Sequence, residues 1–303
     1  MTTHSHQSDT LTRFLLERAG VRGVCVHLDE TWRHIRHRAT YSGATAELLG
    51  EAAVAAALFT GHAKVDGRLS VQLRGNGPLR SLFVECTAAG TLRGIAQVDD
   101  GAEVSRDLRM LGADAIMAIT IENPVASPGG DRREPGRYQG IVPLEAESLT
   151  DAFEDYFRQS EQLPTRLLLA VDGDAAAGLM LQKLPGDSGD DDGWTRATSL
   201  FDTLAPSELL AWPVETLLLR LFHEDGAEVL AERPLRFGCS CSRERVQDVL
   251  TSLGPAEAEA SVAERHAVVR CEFCGQEYRF TAEEIDALFT VDTPSFGVPE
   301  RLQ

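Results

Sequence analysis

Over residues 21–29 the chain alternates apolar and polar positions and carries β-branched residues, the pattern of a strand with one face turned inward. Residues 45–60, TAELLGEAAVAAALFT, contain no proline and predict a helix. The many small side chains in that helix suit close packing on a sheet. Short strand patterns follow at 68–74, 79–86 and 91–98, with Gly75-Asn76-Gly77-Pro78 as a turn between the first two. Together they predict an antiparallel meander. Residues 115–121 and 138–144 are further strands, joined by a polar Gly/Pro-rich loop over 123–137. An amphipathic helix over 145–162 stops at Pro164, and 165–171 with 177–184 form a hairpin around Asp172-Gly173-Asp174.

The pattern changes after residue 184. Residues 185–193, PGDSGDDDG, are an acidic linker or exposed loop expected to bury nothing. Beyond them, 207–212 and 214–225 carry dense apolar positions at helical spacing. Short helices are marginal alone in water, so these must dock on a neighbour. Residues 242–253 predict a helix with Val246, Val249, Leu250 and Leu253 on one face, ended by Gly254-Pro255. Thr281 and Glu284 form a capping box that opens a helix through Phe289. The fold class expected is α+β. It comprises an N-terminal mixed α/β domain with a largely antiparallel sheet (1–182), a helical linker (183–234) and a small C-terminal domain (235–303).

Composition narrows the possible functions. Of the 303 residues, 43% are hydrophobic and 25% charged, a globular balance. The longest apolar run, 52–59, is far short of the ~20 residues that cross a bilayer. The opening MTTHSHQSDT has neither a basic start nor an apolar stretch, so no secretory signal is expected and the location expected is cytoplasmic. With 29 basic and 47 acidic residues the net charge is −18, which repels phosphate backbones and anionic lipid. Neither nucleic acid nor membrane is an expected partner. In the linker, Lys183, Arg196, Arg220 and Arg233 face eleven acidic residues.

Six cysteines focus the chemistry. Cys25 and Cys86 lie in apolar stretches and are expected to be buried. The other four form two tight pairs, Cys239-Ser-Cys241 and, after 29 intervening residues, Cys271-Glu-Phe-Cys274. In a reducing compartment such pairs bind metal or do redox work more often than they staple a fold. Four thiolates suit one tetrahedral Zn2+ per chain. Gly275 after the second pair permits a sharp turn that lets backbone amides face the sulfurs, and the aromatic strand at Tyr278 and Phe280 packs beneath the metal.

Two roles remain open for such a site, structural and switching. The part of the C-terminal domain expected to fold, from Leu235 to about Asp292, has fewer than 60 residues, so its core is weak and needs a staple. A cross-link closing a loop of this size contributes about 4 kcal/mol, and structural zinc couples roughly 10–16 kcal/mol to folding. If oxidation joined each cysteine to its near neighbour instead, both contributions would be forfeited and the domain would unfold. A thiol–disulfide oxidoreductase using Cys271 and Cys274 is the enzymatic alternative, although a thioredoxin-like βαβ context is missing. A nucleic-acid-binding zinc knuckle is a third, disfavoured by charge. His34 and His37 share a helix face without a third ligand nearby, and His223 and His266 are superfluous beside four cysteines. Asp190-Asp191-Asp192 reads as solvated linker. HExxH, Walker-type, GxSxG and Rossmann patterns are absent from the sequence.

Several runs together resemble the heat-shock protein 33 family of redox-regulated bacterial chaperones. They are Val21-Arg22-Gly23, Thr31-Trp32, Leu48-Leu49-Gly50-Glu51, Gly75 to Pro78, Tyr138 to Val142, Tyr156-Phe157 with Ser160 to Thr165, and the two cysteine pairs. The resemblance implies a non-enzymatic, ATP-independent holdase that is inactive while four thiolates hold zinc. It implies oxidation by peroxide with mild unfolding, or by hypochlorous acid, to disulfides Cys239–Cys241 and Cys271–Cys274. Zinc release, linker unfolding, dimerisation and binding of unfolding client proteins would follow. On this view the helices at 207–225 cover the N-terminal sheet in the reduced state.

Overall fold

The computed structural model describes residues 9–63, 65–124, 136–186, 189–263 and 266–289. It divides into two units, Met1–Cys239 and Ser240–Gln303.

The first unit opens with strands β1 (Thr10–Leu16) and β2 (Val21–Leu28), then helices α1 (Glu30–Arg36) and α2 (Gly43–His62). Strands β3 (Arg68–Arg74), β4 (Leu79–Thr87), β5 (Thr91–Val98), β6 (Ile116–Asn123) and β7 (Gly136–Pro143) follow. Helix α3 (Leu149–Ser160), strands β8 (Thr165–Val171) and β9 (Ala176–Lys183), and helices α4 (Gly193–Phe201), α5 (Pro206–Ala211) and α6 (Val214–Phe222) come next. Strands β10 (Ala227–Pro234) and β11 (Arg236–Phe237) complete it.

These strands form two sheets. One has the order β10-β1-β2-β9-β8, the other β11-β5-β4-β3-β6-β7. Every pairing is antiparallel except β11 beside β5, in keeping with the expected fold class. Helix α2 contacts strands of both sheets and is buried along nearly its whole length. That explains its composition: a helix enclosed on all sides needs apolar side chains all round, and alanines let two sheets approach it. It is the one helix among the described residues long and apolar enough to cross a membrane, and 83% of its apolar window lies inside the protein.

The five-stranded sheet is covered on both faces. One face joins the core around α2, through Leu11, Val24, Val26 and Met180. The other presents Phe14, Leu16, Val21, Leu179 and Leu181 to α4–α6, which return Ala197, Phe201, Leu209, Leu217, Leu221 and Phe222. Double coverage is why β2 and β9 are buried at almost every position. The helices over 207–225 thus dock as expected.

Two expectations change in this region. The stretch 227–234 is a strand, paired along β1 from Leu16↔Ala227 to Thr10↔Pro234. The acidic loop does not stay wholly outside: Gly193 is buried against Ala19, and Asp190 and Asp192 pair with Arg196. Arg196 also reaches the buried carboxylate of Asp225, so its charge compensates three acidic groups. The loop expected over 123–137 falls mostly outside the described residues.

The second unit contains α7 (Arg243–Leu253), α8 (Pro255–Ala260), β12 (Val262–Ala263), β13 (His266–Arg270), β14 (Glu277–Thr281) and α9 (Ala282–Phe289). The expected capping box is present: Thr281 N–H donates to Glu284 Oε2 at 2.9 Å, and Glu284 N–H to Thr281 Oγ1 at 3.2 Å. Ser242 caps α7 by accepting from Arg245 N–H. The expected helix is present, and of the four residues on its apolar face Val246 and Leu250 are buried while Val249 is 57% and Leu253 52% exposed. Among the described residues the core of this unit is six buried residues, Val246, Leu250, Ala258, Ala267, Phe280 and Ile285, too few to cover a wider stripe.

Candidate metal centre

The strand β11 sets the position of the first cysteine. Its parallel register, Arg236↔Thr91 and Phe237↔Leu92, continues in a hydrogen bond from Gly238 N–H to Leu92 C=O at 2.9 Å. Phe237 also meets α1 and the residues just after it, with the His34 ring stacked 5.7 Å away and the Arg38 guanidinium 5.1 Å from its ring. The sheet therefore delivers Cys239 at a fixed place. Arg93 Nη1 lies 3.7 Å from Cys239 Sγ, while Arg93 Nε pairs with Glu85 at 3.2 Å.

The second pair sits in the turn between β13 and β14, whose register ends at Arg270↔Glu277. Cys271 N–H donates to Gln276 C=O at 2.9 Å, and Gly275 N–H to Cys271 C=O at 2.7 Å. Gly275 has φ +73°, left-handed backbone in which a side chain would be strained. The Gly275 amide thus closes the sharp turn that the glycine was expected to permit. Tyr278, on β14, points its hydroxyl at Cys241 Sγ and donates at 3.2 Å. That bond raises the phenol to about 12.

The sulfurs of Cys239, Cys241, Cys271 and Cys274 all lie within 4.8 Å of one another, with Cys241 and Cys274 at 3.3 Å. All four side chains are half-buried. Among the described residues this is the one group of three or more His, Cys, Asp or Glu close enough to hold a metal ion. The arrangement gathers four soft donors where water and small oxidants have access.

The remaining candidates are elsewhere. Cys25 and Cys86 are buried, and loss of solvation pushes their thiols up to about 12 and about 11, which leaves them protonated and unreactive. His34, His37, His223 and His266 are exposed and outside the cluster. Sequence reasoning did not find Arg93 or Glu85. They stand far from the cysteines in the chain, and no local spacing announces a neighbour that β11 brings into register.

Comparison with known proteins places the whole chain in a family. The family described as Hsp33 protein matches residues 9–281. A 33 kDa chaperonin of Ectopseudomonas mendocina is 42% identical over 290 residues, covering 93% of this chain and 95% of the relative. Another from Azotobacter vinelandii is 43% identical over 293 residues, covering 93% and 94%. The crystal structure of the 33 kDa chaperonin (heat shock protein 33 homolog) of Thermotoga maritima superposes with a TM-score of 0.75 at 23% identity, covering 93% of this chain and 98% of that one. That structure shares the fold. With its four gathered sulfurs, and a profile match from the first strand to the end of the last, this chain belongs to the Hsp33 family of chaperones.

Proposed function

We propose that this chain is a redox-regulated, ATP-independent holdase, inactive when reduced and zinc-loaded and active when oxidised. The four-sulfur cluster supports this reading most directly. Tetrahedral zinc with bonds of about 2.3 Å keeps its sulfurs about 3.8 Å apart, a spacing that fits sulfurs all within 4.8 Å of one another. Cys239, Cys241, Cys271 and Cys274 would hold one ion per chain. Bound there, zinc would supply a cross-link and roughly 10–16 kcal/mol of folding energy. A unit whose described residues include six buried core positions has little else to rely on.

Oxidation removes the donors. Two thiols and one hydrogen peroxide give one disulfide and two waters, and the pairs implied by family likeness are Cys239–Cys241 and Cys271–Cys274. Each closes a tiny loop and constrains almost nothing. The second unit loses its staple, and the stretch 183–234 acts as a linker that loosens with it. The apolar faces joined at Phe14, Leu179, Leu217 and Phe222 then become available to unfolding proteins. The oxidised chain dimerises. Its working place is the cytoplasm, where thiols rest reduced, and its charge of −18 argues against nucleic-acid or membrane partners. A thiol–disulfide oxidoreductase would need a free nucleophile, which zinc on all four sulfurs would mask.

The test is light scattering from a thermally unfolding client, with zinc release titrated against thiol oxidation and far-UV circular dichroism on the same samples. Oxidised, zinc-free protein should suppress aggregation, and reduced, zinc-loaded protein should not. Equal suppression by both forms would refute the switch.

A further inference from the structure

We infer that Arg93 is a positioning residue for the metal centre, its guanidinium held by buried Glu85 and donating to the sulfur of Cys239. The inference deepens the zinc reading above and rests on it.

The geometry comes from the six-stranded sheet. Glu85 and Arg93 face each other across β4 and β5 in the register Glu85↔Arg93. The Glu85 side chain is 7% exposed and that of Arg93 14%. Glu85 also meets Arg68 at 3.6 Å, and Arg68 goes on to Glu122. Glu85 thus lies between two guanidiniums. Arg93 turns its Nε to the carboxylate and its Nη1 to Cys239 Sγ at 3.7 Å. The sulfur is placed for this contact because β11 runs in parallel register beside β5 and a single residue, Gly238, separates β11 from Cys239.

Charge gives the contact its value. Four thiolates around a divalent cation carry a net charge of −2, so a cation touching one sulfur is attracted, and hydrogen bonds to charged groups are the strong ones. A disulfide sulfur carries no charge, and the same contact then contributes little. Arg93 therefore favours the reduced, metal-holding arrangement specifically. Groups that orient and hydrogen-bond metal ligands typically account for 10–100-fold in metal affinity. Tyr278 makes the corresponding contact on Cys241, but as a neutral donor.

The experiment measures zinc affinity of the full-length reduced protein by competition with a chromophoric chelator, for wild type, Arg93→Gln, Arg93→Lys and Arg68→Gln. A cobalt(II)-loaded set reports the thiolate-to-metal charge-transfer band. Arg93→Gln should bind zinc at least about 10-fold more weakly and shift the cobalt band. Arg93→Lys should recover part of both effects. Arg68→Gln, which touches the same carboxylate but not the sulfur, should match wild type. Should Arg93→Gln fail to fold because Glu85 is left buried, the double variant Arg93→Gln/Glu85→Gln removes the pair together and carries the same expectation. If wild type binds zinc and the Arg93 variants match it within about twofold with an unmoved cobalt band, the inference is wrong while the zinc reading stands. If wild type binds no zinc, both fall.

Discussion

Phe222 is the place to test whether the helical layer keeps the chaperone inactive. Its ring is fully buried against the five-stranded sheet and stacks on Phe14 with centroids 6.4 Å apart. Phe222→Ala deletes that contact at the end of α6. Buried Phe→Ala changes cost about 3–5 kcal/mol. The sheet keeps its other core around α2, so the cost should fall mainly on α4–α6, helices of nine, six and nine residues that cannot persist undocked. At about 1.4 kcal/mol per tenfold, the opening equilibrium of the layer rises by about two to three and a half orders of magnitude. Hydrogen exchange on reduced, zinc-loaded protein should show faster exchange over 193–222, with β6 and β3 unchanged. The same sample should suppress client aggregation without oxidant. Leu219→Ala is the control, because Leu219 on the same helix is 68% exposed and should alter neither measurement. Faster exchange without chaperone activity would refute the claim that this covered face holds clients. Unchanged exchange would refute the claim that Phe222 holds the layer.

Three further outcomes are expected. Burial holds the His27 imidazole, which meets the Leu209 carbonyl at 2.8 Å near Glu215, below its ordinary range. The native state then binds fewer protons than the unfolded one, so the stability of the layer is lost as pH falls below about 6.5; His27→Gln should flatten that fall in thermal melts between pH 7 and 5. Burial pushes the Glu51 carboxyl up to about 7 despite its contact with Arg106, so its ionisation opposes folding increasingly from about pH 4.5 to 7. Glu51→Gln should therefore be more stable than wild type at pH 8, by at most about 3 kcal/mol, and equal to it near pH 4. Gly140→Ala would set a methyl 2.6 Å from the Tyr156 ring, and should lower the denaturant midpoint by about 1–3 kcal/mol of stability with an unchanged slope.

What could be read from the chain depended on how local its causes were. The cysteine pairs stood out because a site able to hold a metal ion demands particular residue types at close spacing. Helix α2 and the hairpin β8–β9 stood out because enclosure demands continuous apolar residues. Strand β10 did not: Ala227–Pro234 is exposed at most positions, so its composition carries no alternation, and it is a strand because β1 offers it unpaired backbone groups. The stripe on α7 gave the helix but not its burial, since Val249 and Leu253 satisfy helical spacing in a unit whose described core does not cover them. Arg93 beside Cys239 belongs to the same class as β10, a neighbour set by sheet register across 146 positions.

The pairing of β1 with β10 bears on how the molecule is made. As the polypeptide leaves the ribosome, Thr10 emerges early and its partner Pro234 more than two hundred residues later. Until then one border of β1 stands bare, of the kind that invites pairing with foreign chains. Closing that border late in translation also lays β11 against β5 and carries Cys239 to Arg93. The first of the four clustered sulfurs is thus seated late in the assembly of the larger unit.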